Sequence, residues 1–127
     1  MIPSRKNPPF DQVATDNTTT IAELKSVMNQ FVAERDWEKF HLPKNIAMSI
    51  AIESAELMEH FQWTNPPAPV APVGNDSPVA QEMADVLAYT LRLAEVLGID
   101  LSQALTLKME RNRLKYPAGI EFVPKQL

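Results

Sequence analysis

The stretch Ile50-Ala51-Ile52-Glu53-Ser54-Ala55-Glu56-Leu57-Met58-Glu59 decides how this chain folds. Its Ala, Ile, Leu and Met residues read as helix, and its acids recur every third position, so Glu53 and Glu56 share a helix face. Gln81-Glu82-Met83-Ala84-Asp85-Val86-Leu87 repeats the arrangement with Glu82 and Asp85. Acids embedded in core-like sequence need a cation, a proton or solvent to compensate them, because an unpaired buried charge is costly. Two such helices side by side would gather four oxygen ligands, which suits a hard cation such as Mg²⁺. The competing reading makes each pair the solvated edge of an amphipathic helix. Spacing alone leaves both open.

Around the first acidic segment the helix is apolar on more than one side. Ile46, Met48, Ile50, Ile52, Leu57, Met58 and Phe61 are spread around it, and Ala47, Ala51 and Ala55 permit close neighbours. A helix over 43–62, opened by Pro43 at its first turn, is therefore expected to pack on two faces, inside a bundle or at a subunit interface. Upstream, Thr20-Ile21-Ala22-Glu23 fits a capping box and starts a helix over 20–36, with Ile21, Leu24, Met28 and Phe31 in line and Val27 and Val32 on its flanks. Between the two helices, Trp37, Phe40 and His41 have two readings. They form a hydrophobic lid with a surface histidine, or they receive an anionic, ring-containing ligand beside a helix N-terminus.

Downstream, residues 64–77 carry four prolines and one glycine and act as a stiff loop between the acidic helices. Ser77-Pro78 restarts helix, which should run over 78–97 and stop at Gly98. Asp100, with Gln103 three residues on, caps a last helix over 101–115, and the short link predicts that the third and fourth helices are antiparallel neighbours. The last helix begins as core, with Leu101, Ala104, Leu105 and Leu107. It continues as a polar line of Lys108, Arg111, Asn112 and Lys115, closed by Tyr116-Pro117. That line is either charge favourable to the helix dipole or a grip for phosphate.

The expected fold is all-α, with four helices over 20–117 between tails at 1–19 and 118–127. At 127 residues and 45% hydrophobic content the chain is long enough for one core, with oligomer contacts supplying part of the burial. A formal net charge of -4 without a basic tail disfavours nucleic acid as a main partner. The absence of Cys excludes disulfides and thiol nucleophiles, and two histidines are a poor inventory for zinc. No apolar run approaches membrane-spanning length, and no apolar signal core stands at the start, so the cytoplasm is the expected location.

Five blocks in order then resemble a known family. They are 31–41 with its Glu34-Arg35-Asp36-Trp37 core, Pro43-Lys44-Asn45, 53–63 ending in Phe61-Gln62-Trp63, 81–89, and 108–117. Together they resemble the all-helical MazG-like nucleotide pyrophosphohydrolases, and among them the dCTP pyrophosphatase branch. The resemblance implies that Glu53, Glu56, Glu82 and Asp85 hold Mg²⁺ against a nucleoside triphosphate, with Glu53 the preferred group to orient or deprotonate water. It implies that Trp37 and Trp63 flank a pyrimidine with His41 nearby, that Tyr89 lies near sugar or phosphates, and that Lys44, Asn45, Lys108, Asn112 and Tyr116 face the phosphates. Ile52 stands where many MazG-like proteins have a further Glu, a departure shared with the dCTP pyrophosphatase branch. Met28 stands where the eukaryotic branch has a histidine. The implied reaction is hydrolysis of dCTP or a 5-substituted relative to monophosphate and pyrophosphate, by a homo-oligomer, tetramer favoured over dimer. The alternative is a helical module that senses a nucleotide or binds a partner without turnover.

Overall fold

The computed structural model describes residues 14–64 and 70–121, so most of the expected N-terminal tail, the centre of the proline-rich loop and the end of the C-terminal tail lie outside the described residues. Four α-helices follow one another: α1 (Ile21–Glu34), α2 (Pro43–Glu59), α3 (Pro78–Leu97) and α4 (Leu101–Lys115), with a 3-10 turn at Glu38–Phe40. Among the described residues there is no strand.

Local chemistry sets most of these boundaries. Thr20 Oγ1 accepts from the Glu23 amide at 3.1 Å while Glu23 Oε1 accepts from the Thr20 amide at 3.3 Å, the reciprocal box that relieves two free donors of α1. Ser77 and Asp100 cap α3 and α4 through their side-chain oxygens, and Pro43 and Pro78 stand in first turns. Gly98 takes a left-handed φ of 67°, so that the Ile99 amide reaches the Ala94 carbonyl at 2.8 Å and closes α3.

The end of α1 differs from expectation. Asp36, not a glycine, adopts a positive φ of 54°, and the Trp37 amide folds back onto the Val32 carbonyl at 3.0 Å. This stops the helix at Glu34 and brings Trp37 edge-on to Phe31, with ring centroids 5.7 Å apart. The second helix likewise stops short of residue 62, because from His60 onward the amides bond three residues back in turns.

α3 is the centre of the molecule, packed against both α1 and α2. Its Leu91 and Ala94 meet a core completed by Val32 of α1 and Ile46 of α2, all four buried. Val32, expected on a flank, is fully buried, while Phe31 is 41% exposed. The 3.6-residue period explains the exchange: Val32 lies one turn after Met28, on the side that faces α3. Contacts of Asn29 with Arg92 and Lys25 with Ile99 show that α1 runs antiparallel to α3. The approach of His60 to Glu82 and of Glu53 to Asp85 shows the same for α2.

α4 corrects a second expectation. It has no buried residue, Leu105 and Leu107 are 65% and 62% exposed, and it does not lie along α3 as a packed hairpin. Its apolar residues fall on two opposed sides, Leu101, Leu105 and Met109 on one and Leu107 and Leu114 on the other. No single stripe is available to hold it on α3.

Candidate active site

The antiparallel register of α2 and α3 brings Glu53, Glu82 and Asp85 together, with one oxygen of each within 4.8 Å of the others. Glu53 and Glu82 are half-buried, and Glu53 Oε2 and Glu82 Oε2 are enclosed without a hydrogen-bond partner in the protein. Burial pushes the Glu53 carboxyl up to about 7, helped by a hydrogen bond that its protonated form donates to Glu56 and by the charges of Glu56, Asp85 and Glu82. Orphaned oxygens and mutual repulsion are what a divalent cation relieves, so the donor set fits a hard metal ion. Glu56, the fourth acid of the sequence motif, is exposed on α2 and stands beside Glu53, outside the converging group of three. The imidazole of His60 approaches Glu82 from the end of α2, Nε2 to Oε1 at 3.8 Å.

Next to the acids opens a cavity of about 360 Å³. Glu53 and Asp85 form one part of its wall, and Met28, Trp37, His41 and Tyr89 contribute to the rest. Each reaches it for a local reason. Met28 is on the α3-facing side of α1, the left-handed turn at Asp36 returns Trp37 to the bundle, and Tyr89 follows Asp85 by one helical turn. The volume and mostly apolar lining are those of a small-molecule site, with the charged groups confined to the side of the acids.

Other residues singled out by the sequence are not gathered there. Lys44 and Asn45 are exposed at the start of α2, where Asn45 Nδ2 donates to the Phe40 carbonyl at 3.2 Å and steadies the 3-10 turn. Trp63 is 87% exposed, and Lys108 and Asn112 on α4, with Tyr116 at its C-cap, are not among the residues that line the cavity. Conversely, the site contains a residue that sequence reading passed over. Arg92 is buried on α3, its Nε donating to His41 Nδ1 at 3.1 Å and its NH1 to Asn29 Oδ1 at 2.9 Å. A signal was present, since Asp85, Tyr89 and Arg92 recur four and three residues apart on one face, and Arg92 is the one cation in an otherwise apolar run of α3.

An all-α protein with a carboxylate cluster between two antiparallel helices and a ring-sized cavity beside it is the class that fold and site define. The MazG-like family model matches residues 48–122. The chain is 39% identical over 104 residues to mouse dCTP pyrophosphatase 1, and 38% identical over 105 residues to the human protein of that name. Each match takes in 80% of this chain and 61% of the relative, so the chain spans about three fifths of the length of these relatives. Among solved structures, a pyrophosphatase from Archaeoglobus fulgidus superposes with a TM-score of 0.67 at 36% identity, over 84% of this chain and 99% of that one. The chain belongs to the MazG-like family.

Proposed function

We propose that this protein is a Mg²⁺-dependent nucleoside triphosphate pyrophosphohydrolase acting on dCTP or a 5-substituted dCTP. The observation that carries the reading is the convergence of Glu53, Glu82 and Asp85 at the wall of an apolar cavity edged by Trp37 and Tyr89. The names of the relatives, dCTP pyrophosphatase 1 and a pyrophosphatase, supply the reaction class.

Glu53, Glu82 and Asp85 would hold the metal, with Glu56 close enough to Glu53 to join through a shift of its exposed side chain. Bound there, a divalent cation supplies charge neutralisation for phosphate oxygens and for the developing negative charge. Water attacks the α-phosphorus and the bond to the bridging oxygen of the β-phosphate breaks, giving monophosphate and pyrophosphate. Glu53 orients that water or takes its proton, a role open to a carboxylate on the cavity wall beside the other acids. Trp37 offers an aromatic face to the base. Met28, flexible and apolar in the cavity wall, supports tolerance for substituents at the pyrimidine 5 position. Lys44, Asn45, Lys108, Asn112, Tyr116 and Trp63 are assigned to phosphates and base in an assembly where sites form between neighbouring chains. Lys44, Asn45, Lys108 and Trp63 are exposed in the single chain.

The test is a panel of dCTP, 5-methyl-dCTP, dUTP, dTTP, dATP, dGTP and CTP with Mg²⁺, comparing kcat/KM and identifying both products. The expected outcome is preference for dCTP or its 5-methyl relative with release of pyrophosphate. Asp85→Ala and Glu56→Ala, in protein that remains folded, should each lower kcat by about a hundredfold or more, the scale of losing a group that stabilises developing charge. A purine preference, or orthophosphate as product, would overturn the substrate or the reaction respectively.

A further inference from the structure

Arg92 is the one buried charged side chain among the described residues, and its hydrogen bonds go to an imidazole nitrogen and an amide oxygen. Burying a guanidinium is costly, so a position that keeps one inside the α1–α3 contact has a reason in what the cation holds. Arg92 Nε points at His41 Nδ1 at 3.1 Å, and NH1 is oriented by Asn29 Oδ1 at 2.9 Å. A guanidinium carries donors only and keeps its charge. His41 Nδ1 must therefore offer its lone pair, which leaves the single ring proton on Nε2. A second proton would set N–H against N–H beside a fixed positive charge.

We propose that Arg92 is a positioning residue that locks His41 as the neutral Nε2–H tautomer, making the cavity select rings that present a hydrogen-bond acceptor. With Nδ1 occupied, Nε2–H is the polar group that His41 can offer a ligand in the cavity it lines with Trp37 and Tyr89. A donor of this kind matches a carbonyl oxygen or an unprotonated ring nitrogen, the acceptor edge of a cytosine-type pyrimidine. It excludes His41 as a cationic phosphate ligand and as a general acid. Burial and the Arg92 charge both hold the imidazole below its ordinary pKa, in the same direction as the geometry. Glu53, from α2, and Asp85 and Tyr89, from α3, are the other titratable groups on the cavity wall, and the two acids oppose that shift only while ionised.

The choice of base edge rests on the nucleotide reading given above, whereas the tautomer lock is read without nucleotide. The chain has two histidines, so long-range proton–nitrogen spectra of the full, metal-free protein separate them, with His41→Gln identifying the His41 signals. The expected result at neutral pH is an Nε2–H ring for His41 that resists protonation, shifting toward mixed tautomers and easier protonation in Arg92→Met. An Nδ1–H ring or an imidazolium in the native protein would overturn the lock even if Arg92→Met does not fold. In turnover, His41→Leu should lose about tenfold or more in kcat/KM for dCTP, chiefly in KM, and His41→Gln, which keeps an N–H donor, should recover part of that loss. Equal losses in both would overturn the donor role. A native protein that hydrolyses no nucleotide would overturn the functional reading, and the spectra would still decide the lock.

Discussion

Glu53 carries the largest electrostatic strain in the described chain, and its protonation links folding to metal binding. Its carboxyl sits at about 7 in the folded protein against an ordinary 4.5, so between those values the folded state binds more protons than the unfolded state. Stability then falls as pH rises through that window and the contribution is gone above it. In metal-free protein the melting temperature should decline from pH 5 to pH 8, and Glu53→Gln should flatten that decline. A divalent cation favours the ionised form, so metal binding near neutrality should release protons, read as a dependence of the binding heat on the ionisation heat of the buffer. A melting profile identical in native protein and Glu53→Gln would show that Glu53 is not the group responsible.

At the scale of elements, the caps are where single residues control whole helices. Gly98 ends α3 in a left-handed conformation, and a Cβ built there meets nothing within 4 Å, so the obstacle to a side chain is backbone strain alone. Gly98→Ala should cost about 1–2 kcal/mol, the left-handed penalty for an L-residue. Gly74 has equal space and no positive φ, so Gly74→Ala should be neutral or stabilise by up to about 1 kcal/mol through the unfolded chain. Denaturant midpoints of the two variants provide the comparison, and equal destabilisation would contradict it. The same logic explains Asp36, whose left-handed turn ends α1 early and in doing so delivers Trp37 to the cavity.

The whole molecule is under-covered as a single chain. Val32, Ile46, Leu91 and Ala94 are the apolar residues fully buried among those described, while Met48, Ile52 and Met58 on α2 and Leu105, Leu107 and Leu114 on α4 are more than half exposed. Apolar surface of this extent on two helices favours association. The protein is expected to sediment above its 14.2 kDa chain mass, with a tetramer as the proposed state, and Leu107→Glu should shift it toward smaller species. A 14.2 kDa species alone at assay concentrations would remove the proposal that α4 residues complete a neighbour's site.

Helix positions were legible in the chain because capping is local. Thr20 with Glu23, Ser77 with Ala80 and Asp100 with Gln103 act over three residues, so reading their side chains was enough to place the starts of α1, α3 and α4. The end of α1 was legible to within a residue or two, but the left-handed turn at Asp36 was not, since it puts a non-glycine residue where glycine is the usual signal. For the site, spacing showed that Glu53 and Glu56, and Glu82 and Asp85, share faces. Which acids meet depended on the register of α2 against α3, and that register admits Glu53, Glu82 and Asp85 while leaving Glu56 at the edge. Arg92 illustrates the limit most sharply, because its partners His41 and Asn29 are 51 and 63 residues away and no local pattern encodes them. Helical content and the acidic motif were thus determined by the sequence itself, through interactions within one or two turns. Which faces meet and how His41 is held were decided by packing between helices distant along the chain.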